Sequence, residues 1–231
     1  MTDSRVKLTK IEVVYHQLRH QIMTSELPPG SAVSERFLAE RLQVGKAPVR
    51  VAIQRLAAEG FLSVEPRRGI RICQQSVQDI LDLFQVRVVM EQLVVGNIAG
   101  SITESQTALL YDNLDEYRTA ASIPDIDTMI SVDFAFHRLM AEFHGNKLLS
   151  SMLNRTLDAL YREIRITMKV QRRAEQRLIE HRDIVEALVH GDAQSATRTL
   201  ATHLHSGQQS IMSRGGTTEV AEASDSWQAD S

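Results

Sequence analysis

The chain has 231 residues, 43% of them hydrophobic and 24% charged, an ordinary globular composition able to bury one large core or two modest ones. No apolar run approaches the roughly 20 residues a membrane-spanning helix needs, "MTDSRVKLTK" lacks an apolar export segment, and Cys73 alone cannot form an internal disulfide; a soluble, cytoplasmic chain without membrane contact is expected. The net charge of −3 hides an asymmetry: residues 1–75 hold 12 Lys/Arg against 7 Asp/Glu, net +5, and the remainder 14 against 22, net −8, which points, chance apart, to a polyanion partner for the first part only.

In chain order, Ile11, Val14, Tyr15, Leu18 and Ile22 stand at helical spacing, and Leu27-Pro28-Pro29-Gly30 ends that first helix. Ser34 is an N-cap for a short second helix through Leu42, and Gln43-Val44-Gly45 connects it tightly to a third. The third is expected to begin near Ala47-Pro48, to bury Val49, Ile53, Leu56 and Ala57, and to stop at Gly60. "FLSVEPRRGIRIC" alternates apolar and polar residues on both sides of Pro66-Arg67-Arg68-Gly69, which predicts a two-stranded hairpin with a basic tip. Residues 1–75 therefore read as a winged helix-turn-helix.

From Ser76 onward helical periodicity is continuous, and six helices are expected over about 76–99, 103–121, 125–144, 146–171, 174–190 and 192–213. The expected fold is mainly α, an N-terminal winged module followed by an all-α bundle at 76–213. The polar, aperiodic stretch 214–231 is expected to be disordered.

A helix of the basic module would fit the DNA major groove, with its N-terminal residues at base edges and flanking cations on phosphates. Lys46, Arg50 and Gln54 share the polar side of the third helix, and Arg36, Arg67 and Arg68 add charge nearby. The competing reading is a solvated face on a protein-binding module. The stretch "YHQLRHQIMTSELPPGSAVSERFLAERLQVGKAPVRVAIQRLAAEGFLSVEPRRGIRI" resembles the DNA-binding domain of GntR-type bacterial transcriptional regulators. That resemblance implies operator contacts by Arg36, Lys46, Arg50 and Gly69. Where the family usually has Ser-Arg-Thr-Pro-Val-Arg-Glu, this chain has Gly45-Lys46-Ala47-Pro48-Val49-Arg50-Val51. Lysine cannot reproduce the planar fork of arginine on guanine, so a different operator sequence is expected.

In "SVDFAFHRLMAEFHGN", Asp133 and His137 lie on the apolar stripe of Ile126, Met129, Ile130, Phe134, Met140 and Ala141. His181 lies on the stripe of Leu178, Val185 and Leu188, and His203 on that of Ala196, Leu200, Gly207 and Ile211. A lone inward histidine is more often a satisfied core residue, but three such helices bring imidazoles and a carboxylate into one interior. Burial of these groups is costly unless something pairs with them, and a divalent cation would satisfy all four. Residues i and i+4 of one helix can chelate, and an N3O set suits Zn²⁺, Ni²⁺ or another transition metal, zinc first, with positions open to a ligand.

Asp133-x3-His137, Glu180-His181 and His203, with "HGNKLL" and "HGDAQSA", resemble the metal-binding FCD domain of the FadR subfamily over roughly 77–212, with a helix count like the VanR-like branch. This implies a ligand-responsive regulator, expected as a homodimer on a palindromic DNA operator, released by a small organic acid. Arg87, on the inward stripe of Ile80, Leu83, Phe84 and Val94, is the leading effector contact, with pairing to Glu91 as the alternative; Arg162 and Arg165 are further candidates. A metal-dependent hydrolase using the same Asp/His site is the alternative function. Glu180 is its only tempting general base, and no nucleophile elbow or phosphate-binding loop accompanies it.

Overall fold

The computed structural model describes residues 9–65, 69–123, 125–167 and 173–215. The order of elements is α1 (Lys10–Met23), β1 (Ala32–Val33), α2 (Glu35–Arg41), α3 (Lys46–Ala58), β2 (Leu62–Glu65), β3 (Gly69–Ile72), then α4 (Val77–Ile98), α5 (Glu104–Ser122), α6 (Ile126–His144), α7 (Lys147–Thr167), α8 (Ala174–Val189) and α9 (Ala193–Gly215). None of the described helices is long and apolar enough to cross a membrane.

Local chemistry sets most helix ends. Thr9 with Glu12, Ser76 with Asp79 and Thr103 with Gln106 form reciprocal capping boxes, while Ser34 accepts from the Phe37 amide. The two His-Gly-Asn/Asp stretches are helix stops followed by starts. Gly145 (φ 76°) and Gly191 (φ 72°) take the left-handed conformation that ends α6 and α8. Asn146 Oδ1 then accepts from the Leu149 amide and Asp192 Oδ1 from the Ser195 amide to begin α7 and α9.

The first three helices and the sheet enclose one core, with Leu18, Ile22, Val49, Leu56 and Ile72 fully buried. The sheet corrects the expected hairpin: it has three antiparallel strands in the order β1-β3-β2, with Ala32 opposite Arg71 and Leu62 opposite Ile72. Two residues of β1 are too few for a period-2 signal, so only their partner strand reveals them. The third helix starts at Lys46 with Gly45 as N-cap, slightly earlier than expected. Arg67 and Arg68, the expected wing cations, and most of the tail at 214–231 lie outside the described residues.

In the remaining helices α4 packs against α6, α7 and α9, α5 against α6 and α8, and α8 against α9. The α4–α5 and α8–α9 turns touch: a Cβ on Gly100 would lie 3.1 Å from Gly191 Cα, a space only glycine fills. Helix α6, between α4, α5 and α7, carries Phe134 and Phe136 wholly out of solvent and delivers Asp133 and His137 to the interior.

Candidate metal centre

One turn of α6 supplies Asp133 and His137, α8 supplies His181 and α9 supplies His203; all four are buried, and one ligand atom from each lies within 4.8 Å of the others. His181 Nε2 is 3.2 Å from His203 Nε2 and 3.4 Å from Asp133 Oδ1. Two further carboxylates set the outer nitrogens. Glu91 Oε2 is 2.5 Å from His137 Nδ1, and Glu180 Oε2 is 2.8 Å from His203 Nδ1. A carboxylate that accepts from Nδ1–H fixes the tautomer and leaves the Nε2 lone pair for the interior, the arrangement of a metal-ligating histidine. His137 Nε2 is buried without a hydrogen-bond partner. His181 is oriented by its ring, stacked on Phe136 at 4.1 Å between centroids.

The protonation states favour ligation. Burial lowers the pKa of His203 to about 4, against the raising effect of its bond to Glu180; burial and the neighbouring His203 hold His181 well below its ordinary value. Burial would raise Asp133, but Arg177, whose Nη1 is 3.3 Å from Oδ1, and the three imidazoles hold it below the usual carboxylate range. Burial thus disfavours the charged form of His181 and His203 beside the Asp133 carboxylate. Facing lone pairs at this spacing repel unless a proton or a cation lies between them, and N3O donors fit a divalent transition metal. Glu180 is engaged by His203, which removes it from the role of free general base.

On the winged module, Arg36, Lys46, Arg50, Gln54 and Gly69 are all exposed. Arg36 Nε is 3.5 Å from Glu40, and Arg50 makes a two-pronged pair with Glu35, Nε to Oε1 at 3.1 Å and Nη2 to Oε2 at 2.9 Å. Arg36, Gln43, Gly45 and Lys46 line a groove of about 440 Å³ beside the helix-turn-helix connection. Gly69 has φ 88°, and a Cβ there would meet the Val33 carbonyl at 3.3 Å, so glycine lets the wing strand approach β1.

Two sequence-family models cover both arrangements: "Bacterial regulatory proteins, gntR family" matches residues 10–72 and the FCD domain matches 82–206, more than half of the chain. The chain belongs to the GntR family and carries an FCD domain. It is 27% identical to the HTH-type transcriptional repressor RspR of Escherichia coli over 198 residues, 86% of this chain and 87% of that one. It is also 27% identical to the HTH-type regulator YdhC of Bacillus subtilis over 192 residues, 83% and 86% of the two chains. The fold matches E. coli McbR/YncC with a TM-score of 0.80 at 19% identity (90% of this chain, 99% of that one). A GntR regulator from Rhodococcus sp. RHA1 matches at 0.77 and 22% identity (89% and 99%). The family and the two sequence relatives, RspR and YdhC, are transcriptional regulators, not enzymes.

Within this GntR-type chain the three candidate effector arginines separate. Arg87 is buried and pairs with Glu91, Nε to Oε1 at 2.6 Å, yet it also borders a cavity of about 20 Å³ with Asp133, Arg177 and His203. Arg162 is buried but its guanidinium meets Glu163 at 3.0 Å, and it does not border that cavity. Arg165 binds both oxygens of Asp127 at 2.8 Å and the Thr24 carbonyl at 2.8 Å, so it ties α7 to α6 and to the end of α1 and does not border that cavity. Sequence reading missed Glu91 as a partner of His137, and Arg177. Arg177 lies one turn before His181 on the same helix, a spacing that marks it as a neighbour of the cluster.

Proposed function

We propose that the chain is a metal-containing, ligand-responsive transcriptional regulator, acting as a repressor. In this reading residues 1–75 read a palindromic operator as a homodimer and residues 76–213 sense a small carboxylate metabolite. Arg36, Lys46, Arg50, Gln54 and Gly69 face DNA, and Arg67 and Arg68 add phosphate contacts in the same reading. Asp133, His137, His181 and His203 hold a divalent transition metal, zinc first. When bound, the cation offers a Lewis-acidic anchor for an effector carboxylate. Arg87 orients the effector, and Glu91 and Glu180 hold the histidine tautomers.

The observation that carries this reading is the double duty of α6. The residue after His137 is Arg138, whose Nη2 is 2.6 Å from Asp158 Oδ1 on α7; the other oxygen of Asp158 is 2.6 Å from Arg19 Nη2 on α1 of the winged module. The first turn of α6 offers Asp127 to Arg165, which also holds the Thr24 carbonyl at the end of α1. A ligand that binds one setting of α6 better than another shifts the population of both settings, and α1 moves with it. The groups that join the modules are charged and partly exposed, so switching them costs little.

The test is selection of genomic DNA fragments by metal-loaded protein, followed by sequencing. The expected result is a short palindrome beside a limited set of genes. No enrichment by folded, metal-loaded protein would refute the operator-binding reading.

A further inference from the structure

Two of the three histidines in the cluster have an outer partner and the third does not. His137 and His203 each meet a carboxylate at Nδ1, from Glu91 and Glu180, whereas His181 Nδ1 is buried with no hydrogen-bond partner among the described residues. The His181 ring is wholly out of solvent, and its Nε2, 3.2 Å from His203 Nε2 and 3.4 Å from Asp133 Oδ1, is the nitrogen that faces the cluster. A His181 that ligates through Nε2 carries its proton on Nδ1. Without an acceptor, that buried N–H disfavours the ligating tautomer.

An acceptor in the same part of the bundle is orphaned too. Asn113 on α5 is 6% exposed; its Nδ2 donates to the Val132 carbonyl of α6 at 3.0 Å, and its Oδ1 is buried with no partner among the described residues. The bond to Val132 orients the amide and leaves its oxygen free to accept. Contacts on either side locate Asn113 against α8. Two residues earlier, Tyr111 Oη donates to Glu186 Oε1 at 2.9 Å; one turn later, the Tyr117 ring lies 6.1 Å from the His181 ring. The two helices therefore run antiparallel, and Asn113 falls between these levels on the buried face it shares with Leu110, Leu114 and Tyr117. On α6, Val132 lies one turn before Phe136, whose ring stacks on His181 at 4.1 Å. Asn113 is thus one turn from Tyr117, and its anchor one turn from Phe136, the two rings that flank His181. A single water between the two orphan atoms would satisfy both.

We infer that Asn113 is a positioning residue for the metal centre: through one bridging water its Oδ1 accepts from His181 Nδ1–H and keeps the Nε2 lone pair turned to the cluster. It does for His181, without adding charge, what Glu91 and Glu180 do for the other two histidines. This rests on the metal centre proposed above.

The test compares zinc-loaded full-length protein with Asn113→Leu, which keeps the volume but has no acceptor, and Asn113→Asp, which accepts more strongly. Proton NMR reads the three imidazole Nδ1–H signals, and competition with a chromophoric chelator reads zinc affinity. In Asn113→Leu the His181 signal should move upfield while those of His137 and His203 stay, and zinc should bind about 10–100-fold more weakly. Asn113→Asp should move the His181 signal downfield and keep zinc affinity within about threefold of wild type. An unmoved His181 signal in Asn113→Leu, zinc affinity within about twofold of wild type, or equal shifts of all three signals, the mark of a general packing change, would overturn the assignment. Should the leucine variant not fold, the aspartate variant decides, since an unmoved His181 signal there refutes the link as well. Wild-type protein that takes up no zinc would instead overturn the metal centre and this inference with it, a result distinct from zinc binding that ignores Asn113.

Discussion

Glu91 and Glu180 do the same job for different histidines, yet neutralising them should have opposite consequences. Glu180 accepts from His203 Nδ1 at 2.8 Å, its side chain is 11% exposed, and its other ionic neighbour, Arg173, is 3.6 Å away and partly in solvent. In Glu180→Gln the amide offers His203 either an oxygen or an NH2, and the second favours the tautomer with the proton on Nε2, where the metal belongs. Loss of such an outer partner costs about 10–100-fold in metal affinity, which is about 1.4–2.7 kcal/mol. Metal-free stability should barely change. Glu91 is 1% exposed and neutralises Arg87 at 3% as well as orienting His137. Glu91→Gln strands a buried guanidinium, and breaking a buried pair on one side costs about 3–5 kcal/mol. For a chain of this size each kcal/mol moves Tm by about 2–4 °C, so the metal-free variant should melt about 6–20 °C lower. Competition with a chromophoric chelator reads the first effect and calorimetry in EDTA reads the second. Metal affinity of Glu180→Gln within about twofold of wild type, or a Glu91→Gln Tm within about 2 °C, would refute the division of roles.

The modules should separate under substitution. Arg50→Ala should weaken specific operator binding by about 1–3 kcal/mol with metal per chain unchanged, measured by mobility shift and metal analysis; loss of both properties would show that the halves depend on each other. Asp158→Asn removes the carboxylate shared by Arg19 and Arg138, so it should shrink the difference in operator affinity between metal-loaded and chelated protein, a coupling of about 1–3 kcal/mol, and an unchanged difference would exclude α6 as the link. Metal-free protein should lose stability as pH falls below 6.5: the unfolded chain protonates its histidines there, whereas folded His203 resists down to about 4 and His181 is shifted the same way. The slope should reach about 1.4 kcal/mol per pH unit per histidine, read from urea midpoints in EDTA between about pH 7 and 5, and flat midpoints would contradict the burial of neutral imidazoles.

Everything that depends on neighbours along the chain was readable in advance. Helical periodicity over 76–213 predicted six helices, and six are found among the described residues, with α4, α6 and α8 ending within about two residues of their expected limits, because caps such as Ser76 and Asp192 act within one turn of their own helix. The same periodicity turned Asp133, His137, His181 and His203 inward, and burial of polar groups needs a common partner wherever they meet. What a helical wheel lacks is the neighbour across the gap. It shows that Arg87 points inward but not that Glu91 reaches His137 on another helix, nor that Arg165 turns toward Asp127 and the end of α1. The strand Ala32–Val33 exists only because β3 lies beside it, and the Asp158 bridge only because α1 and α6 both approach α7. Periodicity fixes the direction of a side chain relative to its own axis; the packing of axes against one another decides which group it meets.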